Sequence, residues 1–155
     1  MSFEKATKHL EKYGLDGNVM ELGESSATVE LAAKAIGCDC AHIAKTLSFA
    51  VDTRTVLIVT AGDAKIDNAK YKAYFGTKAK MLCFDDVERL VGHGVGGVCP
   101  FGVNSGVEVY LDECLKRFEY IYPACGSSNS CVKLSINELE KASEYKQWID
   151  VCKLG

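Results

Sequence analysis

The densest stretch of chemically useful residues is Gly92-His93-Gly94-Val95-Gly96-Gly97-Val98-Cys99-Pro100-Phe101-Gly102, which holds five of the chain's 14 glycines and one of its two prolines. Such a run cannot sustain a helix, because glycine loses the most backbone entropy on ordering and proline has no N–H to donate. It suits backbone that approaches a ligand closely or turns N–H groups toward an anion; a wide turn between strands is the competing reading. Lys45, within Ile43-Ala44-Lys45-Thr46-Leu47-Ser48-Phe49, stands at a strand entrance. It is either a surface lysine with its stem on apolar neighbours or an ammonium aimed at a phosphate or carbonyl. A third run, Ala124-Cys125-Gly126-Ser127-Ser128-Asn129-Ser130, is a hairpin turn or a second pocket wall supplying N–H and hydroxyl donors.

Side-chain nucleophiles are poorly supported. No G-x-S-x-G turn is present to expose an activated serine. The eight cysteines include no C-x-x-C pair, and Cys38-x-Cys40 alone does not specify a tetrahedral metal site. Most alternate with apolar neighbours, as buried thiols do. Cys99 has no evident histidine to activate it and reads as a pocket wall. His93 reads as a packed or half-exposed ring that shapes the loop, and His9 and His42 as surface residues. Neither a metal nor another cofactor is expected.

The elements that must position these groups follow from periodicity. Phe3, Ala6, Leu10 and Tyr13 share one helical stripe that stops at Gly14. A short strand is expected near Val19–Leu22. Ser25 or Ser26 is expected to cap a helix over Val29–Ile36 that Gly37 ends. Thr46–Val51 and Thr55–Ala61 form an antiparallel hairpin around Asp52-Thr53-Arg54, with the second strand apolar enough to be central. Asp67 caps a helix that ends before Gly76, Ala79–Cys83 returns as a strand, and Asp85-x-x-Glu88 opens a helix running into the glycine loop. Val107–Leu111, Phe118–Tyr122 and Cys131–Leu134 read as strands. Ser135-x-x-Glu138 is a capping box for the last helix. The fold class expected is α/β: one domain over residues 1–155, with a mixed, largely antiparallel, barrel-like central sheet flanked by helices.

Composition excludes several functions. Hydrophobic residues make up 48% and charged residues 25% of the 155, as in a globular domain with a substantial core. The formal net charge of −3 disfavours a strongly basic nucleic-acid binder but leaves room for a local basic face. Lys65, Lys70, Lys72, Lys78 and Lys80 offer one such face, or simply a solvated surface. The opening Met1-Ser2-Phe3-Glu4-Lys5 carries no apolar signal region, and no run reaches the ~18 apolar residues of a membrane span. A cytoplasmic location without membrane contact, and reduced thiols, are therefore expected.

Three motifs in order sharpen the reading: I-x-K-T-L-x-F, then G-H-x-x-G-G-V-C-P-F-G, then G-S-S-N before a short strand. With Gly62-Asp63-Ala64-Lys65-Ile66-Asp67 and Ser26-x-Thr28 upstream, the chain from about residue 20 to 140 resembles the YbaK/ProX family of freestanding aminoacyl-tRNA deacylases. That family is related to the editing insert of bacterial prolyl-tRNA synthetases. The resemblance implies a hydrolase acting on the 3′ end of aminoacyl-tRNA, with a prolyl-tRNA synthetase as a conceivable delivering partner. Lys45, Gly96 and Gly97 are then the catalytic candidates. Thr46, Val98, Cys99, Pro100, Gly126, Ser127 and Asn129 are the substrate-binding ones.

An activated ester needs no strong nucleophile if oriented amides stabilise the oxyanion, worth about 3–4 kcal/mol per well-placed donor. Cys99 replaces a frequent serine of the family pattern, and His93 a frequent aromatic. The Gly126–Asn129 segment lacks the histidine of alanine-editing branches, which counts against alanine; the resemblance to YbaK-like branches, which clear cysteine from tRNA for proline, implies cysteine as the substrate. The alternative is a non-catalytic module that binds RNA or an aminoacyl-adenosine-like ligand.

Overall fold

The computed structural model describes residues 2–154. Helix α1 (Ser2–Glu11) leads to β1 (Val19–Glu21) and α2 (Val29–Ile36). The hairpin β2 (Ile43–Val51) and β3 (Arg54–Ala61) follows, then β4 (Ala64–Ile66), α3 (Asn68–Phe75) and α4 (Phe84–Val91). The remainder comprises β5 (Glu108–Asp112), β6 (Tyr120–Pro123), β7 (Ser130–Val132), β8 (Leu134–Ser135), α5 (Ile136–Ser143), β9 (Gln147–Ile149) and β10 (Cys152–Leu154). Six strands form one mixed sheet in the order β8-β6-β2-β3-β5-β9, and β1–β7 and β4–β10 form two small ladders.

The β2–β3 hairpin is the spine of the molecule. It pairs antiparallel from Ala44↔Ala61 to Val51↔Arg54, and Asp52 closes its turn at φ 55°, a conformation aspartate tolerates better than most residues. Strand β3 is central as expected: Val56 to Ala61 are all buried. The remaining pairings complete a mixed sheet. β2 with β6, β3 with β5, and β5 with β9 run parallel, while β6–β8 and both small ladders are antiparallel.

Local chemistry accounts for the helix limits. Gly37 and Gly76 end α2 and α3 in the left-handed region. Asp67 Oδ1 accepts from the N–H groups of Ala69 and Lys70 at 3.0 and 3.1 Å, and the Ser135/Glu138 capping box forms as expected. Helix α2 is capped by Thr28, whose Oγ1 accepts from Leu31 N–H at 3.2 Å, and not by Ser25 or Ser26. That shift releases the Ser26 hydroxyl for another use. Ala79–Cys83 does not form a full strand; Met81 alone makes an antiparallel bridge, to Phe49 of β2, flanked by Ala50 N–H donating to Lys80 C=O at 2.9 Å and Leu82 N–H to Ser48 C=O at 3.1 Å. Phe118 likewise falls outside β6 and packs on His42, with ring centroids 4.4 Å apart.

Candidate active site

One cavity of about 370 Å³ opens between β2, α2 with its preceding loop, the segment 81–87, the glycine loop, and the ends of β6 and β7. Its walls are mainly aliphatic, from residues such as Val29, Ile43, Leu47, Leu82 and Val98. Lys45 is the only charged side chain lining it among the described residues. Among the described residues, neither a carboxylate nor an imidazole lines it. The Oγ1 of Thr46 and the Oγ of Ser26 are buried at this cavity with no hydrogen-bond partner among the described residues. Buried hydroxyls without partners are costly, so both are sites where a ligand's polar groups would be welcome.

Lys45 is anchored at its tip. Its Nζ donates to the Ala64 carbonyl at 2.5 Å, which leaves two of its three donors without a partner among the described residues. Beside it, Asp63 is clamped by the Arg117 guanidinium at 2.6 and 3.0 Å, which holds its carboxyl below the usual carboxylate range. Asp63 is thereby committed to arginine, so among the described residues no carboxylate pairs with the Lys45 ammonium.

The glycine loop divides by face. Gly94 C=O accepts from Gly97 N–H at 3.0 Å, closing a tight turn with Val95 and Gly96 at its centre. Gly96 has φ +96°, a left-handed conformation that glycine adopts without steric cost. It sits between Ala27 and Ser128: a Cβ here would lie 3.3 and 3.5 Å from their Cβ atoms. Gly96 and Val98 line the cavity, and no carbonyl accepts from their N–H groups among the described residues.

Gly97 faces the other way. Its carbonyl accepts from Gly126 N–H at 3.1 Å, and a Cβ would fall 2.5 Å from the Ser127 nitrogen. Gly97 is therefore a packing glycine with its amide already spent. Cys99 is fully buried and lies behind the loop, outside the cavity that it was expected to line. Pro100 is buried too and borders a separate groove beside α1.

The sequence left Cys99 without a histidine, but the fold supplies one. His93 is fully buried, and its Nε2 lies 3.6 Å from Cys99 Sγ. This is not an activated thiol. The same Nε2 lies 2.6 Å from the Phe101 carbonyl, which can only accept, so that nitrogen carries the proton and cannot take one from sulfur. Burial also raises the Cys99 thiol well above its ordinary range and lowers His93. The pair fastens the loop to the core. His9, expected at the surface, is similarly drawn in: its Nε2 lies 2.6 Å from the Ala142 carbonyl, joining α1 to α5.

The third expected motif acts as a brace. Ser127 Oγ lies 2.5 Å from Ser130 Oγ, and Ser130 donates to the Cys125 carbonyl. Asn129 Nδ2 donates to Leu22 C=O at 3.4 Å, and Ser128 C=O accepts from Ser26 N–H at 2.6 Å. Ser128 and Asn129 thus tie the 22–28 loop in place, Gly126 holds the glycine loop through Gly97, and Ser127 braces its own turn; Gly126, Ser127 and Asn129 do not line the cavity, whereas Ser130 does. Cys131 was not expected at the site and also lines it. Burial pushes its thiol up to about 12, so it is a neutral wall and not a nucleophile.

A cavity with one cation, free amides and no base suits recognition of an acyl group joined to something anionic. Residues 23–142 match the model of the aminoacyl-tRNA editing domain. The chain belongs to this family. A structure described as a candidate trans-editing enzyme for prolyl-tRNA synthetase has the same fold: TM-score 0.87 at 28% identity, covering 99% of this chain and 98% of that one. The uncharacterized protein YwhH of Bacillus subtilis strain 168 is 49% identical over 154 residues, covering 99% of this editing domain and 98% of YwhH. The proline–tRNA ligase of Bacillus cereus strain AH820 is 27% identical over 86 residues, 55% of this chain but 15% of the ligase. The editing domain thus corresponds in length to YwhH and to a small fraction of the ligase. No helix among the described residues is long and apolar enough to cross a membrane.

Proposed function

We propose that this editing domain hydrolyses the ester of a mischarged aminoacyl-tRNA, with a small amino acid in the apolar cavity and cysteine on a tRNA for proline as the best-matched substrate. The observation that carries the reading is the pairing of Lys45, whose ammonium is anchored only by the Ala64 carbonyl, with the N–H groups of Gly96 and Val98, which no backbone carbonyl accepts, around a cavity without carboxylates among the described residues. Water attacks the ester carbonyl carbon, and the oxyanion forms beside these amides. The bond to the ribose oxygen then breaks, and that oxygen takes up the proton. Lys45 holds the phosphate or ribose, so its charge steadies the developing negative charge in a poorly hydrated site. Thr46 and Ser26 offer hydroxyls to the α-amino group or to the attacking water.

No lining side chain serves as a base, so the substrate's own groups or solvent must accept the proton. A cysteine substrate fits that requirement as its thiolate, which takes the proton from the attacking water and returns it to the departing ribose oxygen. The same lack of a base is what a non-catalytic aminoacyl-adenosine binder would display. Deacylation assays with cysteinyl-, alanyl-, seryl- and prolyl-tRNA separate the two readings. Selective hydrolysis of one ester by the wild-type chain, lost in Lys45→Ala, supports the enzyme. Equal, spontaneous loss with and without protein sinks it.

A further inference from the structure

Eight large hydrophobic side chains are substantially exposed among the described residues, and three of them converge on the mouth of this one cavity. Phe84 is 75% exposed, Met81 55% and Val95 54%. They come from three separate places: the first residue of α4, the segment that bridges to β2 at Phe49, and the tight turn of the glycine loop. None is needed to close the core, since Val87 and Val91 already bury the inner face of α4. A flat ring left in water at the rim of a ligand cavity is an unsatisfied surface with a preferred partner, another flat ring.

We infer that Phe84, flanked by Met81 and Val95, is a stacking platform for the terminal adenine of the RNA substrate. The inference rests on the proposed aminoacyl-tRNA reading. In that substrate the acyl group and the base share one ribose, so a buried acyl group leaves the base at the cavity mouth. The rim offers no charged side chain among the lining residues apart from Lys45, so recognition there is by stacking and apolar cover. Asp85 and Asp86 follow Phe84 directly on α4. Their charge turns the phosphate chain away from this edge, leaving the base as the part that can settle on it. Stacking of this kind tolerates any base but favours the larger ring system.

The test uses two measurements. Steady-state deacylation of the best substrate is compared for wild type, Phe84→Ala, Phe84→Leu and Phe84→Trp, with circular dichroism to establish folding. Ala and Leu are expected to raise KM about 5- to 150-fold, the range spanned by removing one base–aromatic stack, with the loss falling on KM and not on kcat; Trp restores the affinity that Leu loses. Separately, the fluorescence of Phe84→Trp, with wild-type protein as the blank for Trp148, is titrated with uncharged RNA ending in CCA or in CCU. Quenching that saturates at lower concentration for the purine end supports the platform even if no ester is turned over. Active enzyme with an unchanged KM across the series, or Leu equal to Phe, overturns it. Quenching absent from both RNAs does the same. An effect of Phe84→Ala that appears only when a synthetase is present assigns the rim to a protein partner and also overturns the inference.

Discussion

Neighbouring residues of the glycine loop live in different worlds. Gly96 and Val98 line a cavity with amides that no backbone carbonyl accepts among the described residues, whereas Gly97, with its N–H and C=O both bonded, and Cys99, with its thiol against His93 and the Phe101 carbonyl, are buried. Composition alone makes Gly96 and Gly97 look equivalent. Their roles differ because one glycine turns the chain and the other lets two backbones touch. The lesson is that a glycine-rich motif can hold a working face and a structural face at once, and that a mutation must be judged by the face it strikes.

The contrast is sharpest at the cavity. Lys45→Ala should lower turnover about 100- to 1,000-fold, the effect of losing one electrostatic stabiliser, and leave the melting temperature near wild type; single-turnover kinetics with thermal melts check both. On the back of the loop, Gly97→Ala should destabilise by about 3 kcal/mol, the upper end of overpacking, since the opposing atoms are backbone and cannot swing aside. The melting temperature should then fall by roughly 6–12 °C. Gly96→Ala should show the opposite balance. Its cost in stability is about 1–2 kcal/mol for the left-handed conformation, while turnover drops more than stability alone explains. Equal stability losses at 96 and 97 would erase the distinction between the faces.

A pH series probes the back face again. His93 is neutral when folded, because burial first, then the charges of Lys5 and His9, depress its protonation. Unfolded, it takes up a proton near its ordinary pKa of roughly 6.5. The unfolded chain therefore binds more protons as pH falls, and stability declines below about pH 6.5 and recovers above it. Melting temperatures from pH 7.5 to 5.5 should fall less steeply in His93→Gln than in wild type.

The smallest effect belongs to Cys99. Cys99→Ser should leave turnover within about twofold, and iodoacetamide should label the exposed Cys40 and Cys83 while sparing Cys99 in the folded protein. Peptide mass spectrometry reads the labelling. Loss of activity on blocking Cys99 would move this sulfur to the working face.

Much of this molecule was legible from residue order. The β2–β3 hairpin was readable because alternation at Leu47, Phe49 and Val51 and the unbroken apolar run of β3 are local patterns. The ends of α2 and α3 were readable because Gly37 and Gly76 supply the left-handed turn on the spot. Lys45, Thr46, Gly96 and Val98, singled out in the sequence, share one cavity wall in the structure. The parallel pairings of β2 with β6 and β3 with β5 were not visible, since each joins residues more than 50 positions apart. The Thr28 cap was missed because several hydroxyls compete within four residues. Phe84 and Met81 carried no signal at all: exposure at a cavity mouth is a property of the surroundings and not of a side chain.

Residue types and their spacing were enough for the α/β class, the helix stops and the turn-forming glycines, because each depends on interactions within a few positions. Which loop atoms face the cavity was settled by long-range packing. Gly97 against Gly126 and Ser127, and Gly102 against Lys5 and Ala6, turn one side of the loop inward. The other side is left with its amides open, and that asymmetry arises only when distant segments press together.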